Sequence, residues 1–397
     1  MVLAAQRSGR YVRQPTGYSA FVPSPLPPKP SLEIDDEMQT LLSSADRALG
    51  RLDGSIQTLP NPDLFVFMYV RKEAVLSSQI EGTQSSLNDL LEVEASVLDP
   101  EHPQDVGEVL NYVGAMNHGL ARLSELPLSI RLIREIHEKL LGGVRGQEKN
   151  PGELRRSQNW IGPSGCTLRD ATFVPPPPSA VMETLGDLER FMHARDSVPI
   201  LIKIGLVHAQ FETIHPFLDG NGRVGRLLIT FLLCQEGVLT QPVLYLSHYF
   251  KRYRMEYYDR LQRTRDLGDW ESWIKFFLQG VAEVSEEATR TARAIVDLRE
   301  KHRLLVTREM GRAAANGLIV LERLFQRPIM TVNEMSVTLG VSYAAANQVV
   351  QRLAEAGILE EITGQRRNRV YRYTPYVDLF SDRGIDVQSD PDATTLS

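Results

Sequence analysis

The sequence predicts an all-α protein: a helical bundle over the first 300 residues, then a small helix-turn-helix unit. Three observations lead there. Apolar residues recur at three- and four-residue spacing in segment after segment, the period of a buried helix face. One long stretch, residues 144–178, interrupts that pattern with Gly, Pro and small polar residues. From Gly317 the pattern changes to short helices parted by tight turns. A chain of 397 residues is also too long for one ordinary core, so more than one unit is expected.

Residues 1–33 read as irregular, and VPSPLPPKP from Val22 to Pro30 as a polyproline-type connector. Regular structure begins near Ile34, where DDEMQTLLSSADRALGRL has helical spacing and acids in its first turn. A second helix starts after Asn61-Pro62-Asp63, capped by Asn61 or Asp63, and stops at Gly82. Further helices are predicted over roughly 85–97, 106–123 and 129–141. The 144–178 stretch is a long loop, and such a loop inside a helical unit is more often functional than idle. Helices resume over roughly 179–195, 199–213, 223–236, 248–265 and 270–299. The stretch 270–310 is long, charged and amphipathic, a connector to the next unit. The boundaries that follow are a helical region over 34–105, a core over 106–300, a connector and second unit over 301–380, and a disordered tail over 381–397.

Composition excludes several classes. The net charge is -6, so nothing draws the whole chain to nucleic acid or anionic lipid, and any DNA contact needs a local basic patch. Cys166 and Cys234 stand far apart and make neither a disulfide framework nor a zinc cluster, which fits a reducing cytosol. The histidines show no HExxH or other ligand spacing, so a zinc site is not expected. No leader-like apolar stretch opens the chain and no run of about 18 apolar residues occurs. A cytoplasmic protein is expected.

The most informative residues run from His215 to Arg226, HPFLDGNGRVGR. Gly220, Asn221 and Gly222 tolerate left-handed backbone angles, so consecutive N–H groups are expected to turn inward as a concave nest. The apolar run LLITFLLCQEGVL that follows is helical, so the nest opens on a helix N-terminus, a site that favours phosphate. Arg223 and Arg226 are three apart and share a face, placing two guanidinium forks beside the nest. Asp219 offers a hard oxygen for Mg²⁺. His215 is suited to take a proton from a hydroxyl near neutral pH.

This segment resembles the Fic (filamentation-induced-by-cAMP) signature, HPFxDGNGRxxR, at every defined position. GELRRSQNWIG, FVPPPP and the pair Tyr257-Tyr258 are similar to the family's surroundings, and the likeness covers roughly residues 35–300. The resemblance implies a Fic-type helical bundle with a short β-hairpin flap and transfer of AMP from ATP to a Ser, Thr or Tyr hydroxyl, with pyrophosphate released. In that reading His215 is the general base and Asp219 the Mg²⁺ ligand. Gly220, Asn221, Gly222, Arg223, Gly225 and Arg226 bind the nucleotide's phosphates. The flap maps to Asp170–Pro175, with Thr172 and Phe173 as nucleotide contacts, and Tyr257 and Tyr258 either lie on the adenosine side or face the core and the surface, one each. An asparagine that some members use near adenine is Arg265 here. Ser77, Glu81 and Gly82 resemble the family's inhibitory pattern, (S/T)xxxE(G/N), at the end of a predicted helix. The expectation is that Glu81 pairs with Arg223 and denies that fork to the γ-phosphate.

Residues 317–375 read as a winged helix-turn-helix: Met335–Leu339 end one helix, Gly340 turns, and Ser342 caps the next. Ala344, Ala345, Asn347, Gln348 and Arg352 are candidates to face a major groove, and Gly364–Arg369 make a basic wing tip suited to phosphate. DNA bound through 331–374 and a homodimer are possible partners, beside ATP and a target protein. Two other functions use the same features: hydrolytic removal of AMP from a modified protein, and a nucleotide-sensing DNA-binding regulator.

Overall fold

The computed structural model describes residues 7–57, 59, 62–95, 105–163, 165–365 and 368–380. It opens with an antiparallel hairpin, β1 (Gly9–Arg13) and β2 (Ser19–Pro23), so the N-terminal segment is not irregular as the sequence suggested. Gly17 at φ 92° supplies the turn. Two five-residue strands are marginal by themselves. These are ordered by the loop they lie on: the Phe21 N–H donates to the Val174 carbonyl at 2.9 Å, and the Phe21 ring sits 5.8 Å from Phe173. No local pattern announces that partner.

Helices follow in the predicted order: α1 (Asp36–Gln57), α2 (Pro62–Ile80), α3 (Leu87–Glu94), α4 (Val106–Leu123) and α5 (Ile130–Leu141). Ser86 and Asp89 close a capping box on α3, and Ser129 caps α5. After the long loop come α6 (Pro178–His193), α7 (Ile200–Ile214) and α8 (Asn221–Gln235). From Leu201 to Ile214 every residue of α7 is buried, and α8 is buried from Arg223 to Leu233, so this pair forms the centre of the bundle.

The segment expected as one helix over 248–265 breaks into α9 (Ser247–Arg252) and α10 (Arg254–Leu267) at Tyr253. Residues seven apart on a straight helix are separated by about 10 Å along its axis. The break lets Phe250 and Tyr257 stack at 4.4 Å, beside Trp273. The connector is one helix through the whole 270–310 stretch, past the 270–299 expected as its regular part: α11 (Trp270–Glu309) runs 40 residues from an Asp269 cap and is still burying Val306 near its end. Its N-terminal part packs along α1.

Beyond it lie α12 (Ala314–Gln326), β3 (Ile329–Thr331), α13 (Val332–Leu339), α14 (Tyr343–Glu355), β4 (Glu360–Glu361), β5 (Val370–Arg372) and α15 (Thr374–Val377), with sheet order β3-β5-β4. Gly340 turns at φ 63° and the Ser342 side chain accepts from the Ala345 N–H, as the sequence predicted. Wing-tip residues Arg366 and Arg367, the cap candidate Asn61 and the tail from Ser381 lie outside the described residues.

One close helix contact is testable. A Cβ added at Gly119 on α4 would lie 2.3 Å from the buried Phe231 ring on α8. Overpacking of this kind costs about 1–3 kcal/mol, against roughly 1 kcal/mol gained in helix propensity. Gly119→Ala should lower the urea midpoint of unfolding without changing its slope.

Candidate functional site

The site is the connection between α7 and α8. His215 ends α7 in a left-handed conformation (φ 48°, ψ 60°) and Gly220 opens α8 in another (φ 73°, ψ 5°). The expected run of left-handed residues at 220–222 is therefore corrected. Gly220 alone of the three is left-handed, while Asn221 and Gly222 are the first helical residues. The Asn221 side chain is spent on the loop itself. Its Oδ1 accepts from the Phe217 N–H at 2.8 Å and its Nδ2 donates to the Phe217 carbonyl at 2.9 Å, stapling the loop shut. What Asn221, Gly222 and Arg223 offer an anion is their main-chain N–H groups, which have no intrahelical acceptor in a first turn. They sit at the positive end of the helix dipole.

Three side chains that sequence reasoning did not assign hold this loop. Arg155, buried in the long loop, donates Nε to the His215 carbonyl at 2.9 Å and Nη2 to the Pro176 carbonyl at 2.6 Å. Asn159 Nδ2 reaches the His215 and Phe217 carbonyls at 3.2 and 2.8 Å. His137 on α5 stacks on Phe217 with ring centroids 3.7 Å apart. Its Nδ1 accepts from the Gly152 N–H at 2.8 Å, so Nε2 carries the proton and donates to the Asp219 carbonyl at 3.0 Å. Burial holds the His137 pKa down to about 4. The only signal for Arg155 and Asn159 was the odd composition of GELRRSQNWIG, and His137 on α5 lies outside it; the role of each is set by where the loop folds.

His215 faces the helix mouth with 20% of its side chain exposed. The Glu212 carbonyl lies 3.3 Å from its Nδ1, which assigns the proton to Nδ1 and leaves a lone pair on Nε2. Burial first, then the charges of Arg265 and Arg155, push its pKa down to about 3. The imidazole is therefore a neutral base.

The arginines are both buried but do not act as a matched fork. Glu81 was expected on Arg223; it is on Arg226 instead, with Oε1 2.8 Å from Nη2. Arg226 also donates Nε to Ser77 Oγ at 2.7 Å and Nη2 to the Ser77 carbonyl at 2.9 Å. Residues 77 and 81 are one turn apart, so the end of α2 meets one guanidinium with both. Arg223 turns the other way, to Glu108 at 3.0 Å and Asp219 at 3.6 Å. Glycine is required where Glu81 arrives: a Cβ on Gly222 would lie 2.3 Å from its Oε1. The Glu81 carboxylate thus covers the helix mouth. Gly225 is likewise a packing residue, since its Cβ would meet Glu212 at 2.3 Å.

The flap is a loop closed by a single bridge, Ile161 to Phe173, rather than a hairpin of two strands. Phe173 is buried beneath the Arg265 guanidinium at 4.1 Å, so its ring is a support and not an open ligand surface. Thr172 is exposed and lines an open cleft of about 1170 Å³ between the flap and the N-terminal hairpin. Tyr257 is in the core, its hydroxyl 2.9 Å from His208 Nε2, which removes it as a nucleotide contact; Tyr258 is 41% exposed. In the C-terminal unit Arg352 donates to the Met310 carbonyl and Asn347 accepts from Arg369, so two proposed groove residues are engaged internally.

Among the described residues no cluster of three acidic, His or Cys side chains could enclose a metal. Asp219 Oδ1 takes the Gly220 N–H at 2.6 Å while the side chain stays 39% exposed, which fits an ion shared with substrate phosphates. No helix among the described residues is long and apolar enough to cross a membrane.

Residues 39–121 match the Fic/DOC family N-terminal domain and residues 127–233 the Fic/DOC family domain. The chain is 31% identical over 205 residues to the protein adenylyltransferase Fic of Aedes aegypti, covering 50% of this chain and 37% of that protein. The Drosophila melanogaster counterpart is 29% identical over 198 residues, covering 49% and 35%. The match thus spans little more than a third of these curated relatives. In structure, the chain is similar to a Fic family protein from Desulfovibrio desulfuricans, with TM-score 0.58 and 19% identity over 86% of this chain and 97% of that one. A Fic domain containing signaling protein from Bacteroides thetaiotaomicron aligns with TM-score 0.51 and 18% identity over 63% and 95%. At such identities these two speak for the fold.

Proposed function

The chain belongs to the Fic/DOC family, and from that premise we propose that it transfers AMP from ATP to a Ser, Thr or Tyr hydroxyl of a protein, itself included, under restraint by Glu81. One observation carries this: a neutral imidazole with a free Nε2 stands beside a helix mouth whose N–H groups and guanidiniums suit a triphosphate. In the step, the hydroxyl oxygen bonds to the α-phosphorus, its proton passes to His215 Nε2, and the bond to the β-phosphate oxygen breaks to release pyrophosphate. The amides of Asn221 to Arg223 stabilise the charge that builds on the phosphate oxygens. Mg²⁺ held by Asp219 and the phosphates would supply further neutralisation.

Restraint follows from Arg226. Its Nη2 and Nε are occupied by Glu81 and Ser77, so a triphosphate gains that cation only after Glu81 leaves. The same carboxylate at the helix mouth is placed to align a water, which supports a second reading, hydrolysis of AMP from a modified protein. Incubating the protein with differently labelled nucleotides and weighing the products tests the first reading. An adduct of AMP mass is expected; phosphate or UMP adducts overturn it. Release of AMP from a pre-modified target, without forward transfer, would favour the second.

The His215 environment sets a pH prediction. A base lost only as pH falls through about 3 remains unprotonated across the range of about pH 5 to 8. Transfer by Glu81→Gly protein should therefore lack an acid limb at 6.5, the ordinary histidine value. Glu212, pushed up to about 7 by burial, also titrates in that window, so the profile is repeated with Glu212→Gln. A limb near 6.5 in both proteins rules out the neutral base.

A further inference from the structure

Glu108, the third residue of α4, takes no part in the step above, yet it sits inside the site. It is 3% exposed and lies between two arginines: Oε2 accepts from Arg223 Nη1 at 3.0 Å, and Oε1 faces Arg145 Nε at 2.9 Å. Arg145 Nη2 adds a contact to Oε2 at 3.3 Å. Arg223 is 3.6 Å from Asp219, so the charges alternate from Arg145 through Glu108 and Arg223 to Asp219. The Arg223 Nε is buried without a partner, a donor left over in the anion site.

Arg145 is the movable member. Its side chain is 64% exposed and it stands in Gly142-Gly143-Val144-Arg145-Gly146. The main chain there is pinned beside Asp219, since a Cβ on Gly146 would lie 3.0 Å from Asp219 Oδ2. A guanidinium tethered at that rim is within reach of phosphates that share an ion with Asp219.

We propose that Glu108 is a positioning residue that holds Arg223 and Arg145 as a pair around the terminal phosphates of a bound nucleoside triphosphate, with Arg145 as an additional phosphate ligand; this rests on the nucleotide-transfer reading above. Glu108 is not a second brake. It is 3% exposed with both oxygens engaged, whereas the Glu81 side chain is 34% exposed and follows the last residue of α2, before a glycine at φ 99°. Glu81 is free to withdraw and Glu108 is not. Charge balance also favours the assignment. With Glu81 gone, the guanidiniums of Arg145, Arg223 and Arg226 exceed the carboxylates of Glu108 and Asp219 by one. Arg145 supplies that excess among these five side chains, adding to the pull of the α8 N-terminus.

The test is calorimetric titration with ATP and, separately, AMP, in the presence of Mg²⁺. The background is Glu81→Gly/His215→Ala, which is open and does not turn over. Adding Arg145→Ala should weaken ATP roughly tenfold, the size of one charged hydrogen bond, and leave AMP unchanged, because AMP has no terminal phosphates. Arg145→Lys should recover part of the loss. Glu108→Gln should lose more, since it releases both arginines, with thermal melts verifying that the protein is folded. Undiminished ATP affinity in Arg145→Ala, or an equal loss for AMP, overturns the proposal while the transfer reading stands. If the background protein binds neither nucleotide, the transfer reading fails and this assignment fails with it.

Discussion

His215→Ala protein should incorporate about 100- to 10,000-fold less AMP than its parent, the contribution of a well-placed general base. The loss should fall on turnover and leave ATP affinity in place, because the proposed reading assigns the phosphates to the α8 amides and arginines and not to the imidazole. The side chain makes one hydrogen bond, at 3.3 Å to Glu212, so its removal leaves the loop's staples from Asn221, Arg155 and Asn159 intact. One structural confound needs control. Residue 215 has φ 48°, which Ala tolerates poorly. His215→Asn, at home in that backbone region, should be as inactive as His215→Ala if proton transfer is what was lost. Wild-type rates in His215→Asn would remove the base assignment.

The opposite change is expected at Glu81. Glu81→Gly should raise self-modification by about 10- to 100-fold, since a charge-assisted hydrogen bond is worth roughly 1.5–3 kcal/mol and each 1.4 kcal/mol is a factor of ten. Adding Arg226→Ala should reverse the gain, because the cation that Glu81 was covering is then gone. Acid does not substitute for the mutation. Burial would raise the Glu81 pKa, but Arg226 and Arg223 hold it below the ordinary carboxylate range. The contact is thus fully charged above that range and is lost only as pH falls through the depressed value. Unchanged labelling by Glu81→Gly, in a preparation that His215→Ala renders inactive, would show that the Glu81–Arg226 contact restrains nothing.

The two arginines show how far sequence reasoning reached. Their membership in an anion site was legible, because a glycine-rich turn, a helix start and two guanidiniums lie within twelve consecutive residues. Which carboxylate each would meet was not. Glu81 and Arg226 are 145 positions apart, and Glu108 and Arg223 are 115. A three-residue spacing puts two side chains on one face, but two helices arriving from different directions decide where each side chain turns. The placement of Tyr257 was not legible for a related reason. Tyr257 and Tyr258 read alike in sequence, and only packing against Phe250, Trp273 and His208 commits one to the core.

Helical periods, capping residues and the His215–Arg226 segment are local properties, carried by neighbouring residues, and the sequence by itself determined them. That covers the bundle, most helix limits and the residues that make up the candidate site. Only the tertiary structure decided the hairpin on the flap, the break at Tyr253, the clamp of Arg155, Asn159 and His137, and the pairing of Arg226 with Glu81 and Arg223 with Glu108. Those features depend on contacts between segments far apart along the chain, and a buried charge or carbonyl accepts whichever distant partner packing delivers to it.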